Sequence, residues 1–322
     1  MPDRMMQDKG AGQGPDIIGL GASTVDVLSL VEHLPAEDEN MRALEISVQG
    51  GGPVATAIVT AARLGARTAM LDVIGDDWRG ALIRSEFEHA GVDTSHLKLA
   101  KGSTSPTSCI LVKQDSGARS IVWAPGNAAE LSPDDLPRSV IRSARFLHIN
   151  GRHWQACMEA VRLARASGVQ VSFDGGAGRY RAELDQLVPL TDVCIVAREF
   201  AEKYTRQTDV EKAAQLLLQS GPRLVVITAG TQGSWIYARD GQAFQQPAYR
   251  MRSVVDTTGC GDSYHGAFLF GLVRGLSLAQ ASSLASAVAA INSQQLGGRV
   301  GLPTYEQVKS FLTQRAERLG DQ

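Results

Sequence analysis

Short apolar runs closed by glycine alternate with helix-like segments along most of this chain, and that alternation constrains the fold more than any other feature. "DIIGLGA" (16–22) and "TAMLDVIG" (68–75) have the composition of buried strands. Between them lies "PVATAIVTAARLGA" (53–66), with Pro at its start, small helical residues and Gly65 as a C-terminal stop. The helical pattern "ALIRSEFEHAG" follows and ends at Gly91. Further on, "RFLHIN" is a strand, "WQACMEAVRLARASG" a helix, "VQVSFD" and "DVCIV" strands, and "VEKAAQLLLQSG" a helix before the strand "RLVVITAG". Strands alternating with helices predict an α/β chain with a doubly wound, mainly parallel central sheet flanked by helices. In such sheets ligands gather beyond the carboxyl ends of the strands.

Two stretches break the rhythm. "RALEISVQ" (Arg42–Gln49) and "TSCILVKQDSGARSIVWAP" (Thr107–Pro125) read as strands with no helix between them, the second a hairpin of Thr107–Lys113 and Arg119–Trp123. They predict a small antiparallel β lid, from about 28–50 and 100–125, beside a single domain spanning 16–318. Residues 1–15, polar and Gly-rich with no apolar core, read as a disordered tail. No run approaches the roughly 18 apolar residues of a membrane span. A formal net charge of -2 over 322 residues offers no basic field for nucleic acid or anionic membrane, so a small molecule is the expected partner. Cys109, Cys157, Cys194 and Cys260 are scattered without metal-ligand or CxxC spacing, which points to a reducing, cytoplasmic setting.

The chemistry concentrates in "VVDTTGCGDSYHGAF" (Val254–Phe268). Gly259 and Gly261 remove side chains where backbone N–H groups can converge on an anion, and the helix beginning near Ser263 adds its positive end. Asp262 sits at the lip, placed to accept a proton from an incoming hydroxyl. The set suits phosphoryl transfer, with the cradle holding charge on the moving group and the acid orienting the nucleophile. The helix N-terminus is expected to lower the pKa of Asp262, so that it acts chiefly by orientation. The competing reading is a capped buried helix with close-packing glycines at Gly266 and Gly271.

This stretch resembles the C-terminal signature of the ribokinase-like (PfkB-type) carbohydrate kinases, and the likeness extends over nearly the whole chain. "GLGASTVDVL", "GGGPVATAIVTAARLG", "VIGDDWRGALI", "VITAGTQGSW" and "DTTGCGDSYHGAF" resemble five family blocks in order. The resemblance implies a sugar kinase using ATP and Mg2+, with Asp262 as catalytic base and Gly259, Cys260 and Gly261 forming the anion hole. It implies sugar binding by Asp26, Gly51 and Gly52, and nucleotide binding by Thr228, Gly230 and Gly233. Ser286, replacing an Asn that members often carry near the base, joins the nucleotide-binding set. A monovalent cation such as K+ maps near Asp256, Thr258 and the "QQLGG" stretch. No Walker A pattern occurs.

Departures accompany the likeness. Arg198 and Ala201 stand where many members carry the Asn and Glu of a magnesium-organising block, with Glu199 as a substitute or a surface residue; Thr56 replaces a sugar-binding Asn, and Cys260 a usual Ala. At a helix N-terminus the Cys260 thiol is either activated or a buried, inert filler. "FLHINGRHW" resembles the ketohexokinase branch, and "GGGPVATA" with "GGRVGLP" the sulfofructose kinase branch. Arg152 lies where both carry an Arg that reaches a substrate, a role that competes with a surface Arg opening a helix. Trp123 reads as lid core or a sugar-stacking face, and His148 as a satisfied core histidine. The implied function is an ATP-dependent sugar kinase acting on a small sugar, a ketose. The rivals are a nucleoside kinase of the same fold, a catalytically inactive nucleotide-binding sensor, and a dinucleotide-dependent dehydrogenase, which the missing GxGxxG sets aside. Edge strands in the lid suggest a homodimer.

Overall fold

A computed structural model describes residues 14–315. Most of the expected tail, residues 1–13, and the end of the expected domain, 316–318, lie outside the described residues. The chain opens with β1 (Ile17–Leu20), departs into two lid strands, β2 (Thr24–Val31) and β3 (Glu45–Gly51), and returns through α1 (Pro53–Leu64) to β4 (Thr68–Gly75). Helix α2 (Trp78–His89) and β5 (Leu97–Ala100) precede the lid hairpin of β6 (Thr107–Lys113) and β7 (Arg119–Ala124). After α3 (Arg138–Ser143) come β8 (Phe146–Ile149), α4 (Trp154–Ala166), β9 (Gln170–Gly175), α5 (Leu184–Leu187) and β10 (Val193–Ala197). Helices α6 (Arg198–Thr205) and α7 (Val210–Ser220) lead to β11 (Leu224–Thr228), and β12 (Ser234–Ala238) and β13 (Ala243–Gln246) close that edge. Three helices finish the described chain: α8 (Cys260–Val273), α9 (Leu278–Asn292) and α10 (Tyr305–Thr313).

The large sheet has nine strands in the order β13-β12-β11-β10-β9-β8-β1-β4-β5. All pairings from β11 to β5 are parallel. Growth reverses at β1, which has β4 on one side and β8 on the other, so the crevice between the loops after β1 and β8 is the switch point where ligands collect. Burial on both faces explains the unbroken apolar strands. Along β10, Val193 and Ile195 enter one core while Cys194 and Val196 enter the other, and β11 repeats the pattern. The second sheet, β3-β2-β6-β7, is the lid. It is antiparallel except for β2 against β6, which run side by side. The direct step from β1 into β2 makes the lid continuous with the switch point.

Close helix packing fixes where the first turn of α8 sits. A Cβ on Gly266 would strike the Ala57 carbonyl of α1 and come within 2.9 Å of Thr60 Cβ. Gly266→Ala should therefore destabilise the fold by about 1–3 kcal/mol from overpacking, despite an intrinsic helix gain of about 1 kcal/mol. Urea unfolding measures the balance; a stabilised variant would show that α8 has room to spare.

Candidate active site

Gly259 caps α8 with φ 70°, the left-handed region that glycine enters without strain. A Cβ there would also lie 2.6 Å from Gly298 Cα, so the loop before α8 and the loop after α9 touch backbone to backbone. Two residues on, a Cβ on Gly261 would meet nothing within 4 Å, so the first turn of the helix faces open space. Behind it Asp256 is wholly buried, and its carboxylate accepts from Thr258 N and Gly297 N, both at 2.8 Å. Thr258 Oγ1 is buried without a hydrogen-bond partner. The Cys260 thiol donates to the Ala289 carbonyl at 3.4 Å, and burial with the nearby Asp256 charge pushes its pKa up to about 12. The inert reading of that cysteine holds; the helix end does not activate it.

Asp262 occupies the first turn of α8 with 22% of its side chain exposed, and Arg179 Nη1 lies 3.8 Å from its Oδ1. The same guanidinium nitrogen is 3.4 Å from Asp174 Oδ2 at the end of β9. Burial, reinforced by the Asp174 charge, raises the Asp262 pKa, while Arg179, His265 and Arg119 oppose it. The expected depression by the helix end is thus overturned: loss of water around the carboxylate outweighs the positive end of the helix. A raised pKa makes Asp262 a better proton acceptor than a dipole-stabilised acid would be.

Across the crevice, Asp26 on β2 is buried and accepts from Thr24 Oγ1 at 2.8 Å. Burial raises its pKa, and the Asp262 charge reaches it and adds to the shift. Gly51 is required by this acid, because a Cβ there would run into the Asp26 carboxylate. Gly52, at φ 95°, starts α1 where a Cβ would strike the Ala22 carbonyl. A buried arginine sets this turn: Arg299 donates to the Gly51 carbonyl at 2.8 Å and to Thr56 Oγ1 at 3.2 Å, and pairs with Glu86 at 3.2 Å. Thr56 therefore serves Arg299. Arg152 follows β8, but its guanidinium is matched by Glu130 at 2.8 Å.

Trp123 is no lid-core residue. It lies 66% exposed, in a cross-strand row with Ser108 and Asp26, and so faces the crevice. Trp154, by contrast, is covered by Arg181, 5.8 Å from its ring centroid. On the other flank, Thr228 ends β11 with its hydroxyl donating to Val196 O at 3.4 Å, and Gly230 and Gly233 take φ 54° and 87° in the turn that follows. Ser286 is buried midway along α9, one turn before the Ala289 carbonyl that meets Cys260. Glu199 is tied to Lys203 at 2.6 Å and Arg198 to Glu202 at 2.9 Å, the pattern of a solvated helix face.

The sequence reading missed Arg119, Arg179, Asp174 and Arg299. Arg119 reaches from the lid to donate to Thr257 Oγ1 at 2.8 Å, beside the cradle. Its one signal was its place just after the hairpin glycine. Nothing in the sequence shows that residues 119, 179 and 262 converge.

Comparison with known proteins settles the family. The profile of "pfkB family carbohydrate kinase" matches residues 15–305. The chain belongs to the pfkB family of carbohydrate kinases. Among its relatives are a 5-dehydro-2-deoxygluconokinase of Shouchella clausii, 29% identical over 94% of this chain and 97% of that one, and the ketohexokinase of Mus musculus, 26% identical over 82% and 91%. The adenosine kinase of Sinorhizobium meliloti superposes with a TM-score of 0.80 at 25% identity, over 94% of this chain and 99% of that one. Arabidopsis thaliana ribokinase, solved with ribose and ATP, shares the fold with a TM-score of 0.77 at 22% identity, over 92% and 98%.

The raised pKa of Asp262 carries a stability consequence. Between the ordinary aspartate value of about 3.9 and the higher folded value, the native state binds more protons than the unfolded one, so stability falls as pH rises through that window. Asp262→Asn should therefore raise Tm at neutral pH, and the gain should vanish as pH drops below about 3.9. Calorimetry across pH tests this; a variant less stable than the parent at pH 7 would contradict it.

Proposed function

We propose that this carbohydrate kinase transfers the terminal phosphoryl group of ATP to a hydroxyl of a small keto sugar, with residues 259–261 as the anion cradle and Asp262 as the base. The observation that carries the reading is the open space before Gly261, with Asp262 at its lip and Asp26 across the crevice. Relatives named for a ketohexose and for a dehydro-deoxygluconate support a keto acceptor.

Asp26 and the Gly51–Gly52 turn would hold the sugar hydroxyls, with Arg299 fixing the turn from behind. Trp123 would cover one face of the sugar and exclude water as the lid closes. As the acceptor oxygen bonds to phosphorus, the bond from phosphorus to the bridging oxygen breaks and ADP leaves; the hydroxyl proton passes to Asp262, and backbone N–H groups of the 259–261 turn would take up charge on the phosphoryl oxygens. Thr228, Gly230 and Gly233 would flank the nucleotide. Arg119, held beside the cradle by Thr257, would add positive charge from the lid.

The residues at 198–201 do not fit a protein-held Mg2+: an arginine, an alanine and a lysine-paired glutamate supply no free ligand. The metal would arrive on the ATP phosphates. Asp256 and the unpartnered Thr258 hydroxyl do fit a monovalent cation, which would offset the buried Asp256 charge beside the cradle. The adenosine kinase neighbour and the exposed Trp123, able to stack on a base, favour nucleosides as the second acceptor class.

Assay with ketoses, keto sugar acids, aldoses and nucleosides tests the reading. Asp262→Asn should abolish turnover with ATP affinity nearly unchanged. Gly261→Val should fold and lose activity by blocking the cradle. Arg119→Ala should lower kcat by roughly 10²–10³-fold, the loss of one charge-stabilising donor. Turnover retained by Asp262→Asn would place the base elsewhere; turnover on none of the four classes would favour the nucleotide-binding sensor.

The outer face of the lid exposes Ile46, Val48 and Val122 beside two free sheet edges, β3 and β7. A homodimer formed through the lids would cover them. Sedimentation should give a dimer that Val122→Lys weakens; a monomeric parent chain would remove the proposal. No helix among the described residues is long and apolar enough to cross a membrane, and the free cysteines suit the cytoplasm.

A further inference from the structure

Beneath the catalytic turn lies a group of buried polar side chains that phosphoryl transfer does not use. His148 on β8, Asp174 at the end of β9 and His265 on α8 each offer one donor atom, and these atoms lie within 4.8 Å of one another. All three side chains are buried. His148 Nε2, Asp174 Oδ1 and His265 Nδ1 have no hydrogen-bond partner, although buried polar atoms are almost always satisfied. His148 is therefore not the satisfied core histidine expected from its strand. Three ligand-bearing side chains gathered in one place, each with an unpartnered buried atom, point to an occupant.

We propose that His148, Asp174 and His265 form a buried binding site for a divalent transition metal of the zinc class. Two imidazoles and one carboxylate are a borderline-soft donor set, suited to Zn2+ or Co2+ and poorly suited to Mg2+. The second shell is in place: His148 Nδ1 faces the buried Ser172 Oγ at 3.2 Å, which fixes the ring and leaves Nε2 unpartnered. Arg179 holds the other Asp174 oxygen at 3.4 Å and leaves Oδ1 free. His265 Nε2 already stands 3.7 Å from that Oδ1. Burial lowers the pKa of His148 to about 3 and of His265 to about 4, so both rings are neutral at physiological pH, as metal ligands must be. Bonds of about 2.0–2.1 Å set tetrahedral ligand atoms roughly 3.3 Å apart, so binding draws the three groups together by side-chain rotation. A fourth position remains for water. Metal bound here would compensate the Asp174 charge and leave Arg179 to Asp262, linking occupancy to the catalytic acid.

The site is tested on the full chain, stripped with chelator and titrated with Co2+. The expected result is one Co2+ per chain with the intense visible bands of tetrahedral coordination, displaced by Zn2+, and a matching stoichiometry by elemental mass spectrometry. Asp174→Asn, nearly isosteric, should weaken Co2+ binding at least 100-fold, and Ser172→Ala should weaken it roughly 10–100-fold. His33→Ala, at an exposed histidine, should leave it unchanged. If a histidine variant fails to fold, the wild-type titration and Asp174→Asn still decide, with circular dichroism reporting the fold. Absence of stoichiometric uptake by the wild type, bands that survive Asp174→Asn, or bands lost in His33→Ala would each overturn the site.

Discussion

Two stretches of chain far apart in sequence are tied together by one buried carboxylate, and the shape of the site follows from that tie. Asp256 accepts from the amides of Thr258 and Gly297, binding the loop before α8 to the loop after α9. Hydrogen bonds to a charged group contribute about 1.5–3 kcal/mol each, and a carboxylate buried without them would be far more costly. The tie brings Gly259 against Gly298, an approach that a Cβ on Gly259 would block at 2.6 Å. The turn at 259–261, open to space at Gly261, is thus set before any ligand arrives. Preorganisation of this kind is what makes backbone dipoles effective against developing charge.

The second loop also reaches the sugar side. Arg299, two residues beyond Gly297, is buried against Gly51, Thr56 and Glu86. One C-terminal loop therefore braces the proposed cradle through Asp256 and the proposed sugar turn through Arg299. Gln49 strengthens the connection by accepting from Arg299 N at 2.9 Å. The lid completes the enclosure, because its inner face carries Asp26, Trp123 and Arg119 toward the crevice. Sugar contact, water exclusion and cation delivery would then depend on the same strands.

The layers of the fold were legible in the sequence because burial on both faces leaves a local signature: short apolar runs, glycine stops, helices of small residues. Gly65 ends α1 in the left-handed conformation that its position implied. The loop around Asp262 was legible for a related reason, since close backbone approach demands glycine in a fixed local pattern. What stayed hidden depends on distant pairing. Arg119, Arg179 and Arg299 each meet a partner far away in sequence, and an arginine alone does not reveal whether it will be solvated or buried. For Trp123 the sequence left lid core and sugar-stacking face both open, because strand alternation does not say which face of a lid meets solvent; its exposure removes the first. The Asp262 pKa was misjudged because the helix end is visible in sequence while the burial that outweighs it is not.

A crystal structure with ADP, aluminium fluoride and a phosphorylatable keto sugar would test the central claim most directly. The expected result is a planar fluoride species within hydrogen-bond reach of the amide nitrogens of residues 259–261, with the acceptor oxygen in line and facing Asp262. A fluoride species bound away from that turn, or a sugar hydroxyl directed at some other base, would contradict it.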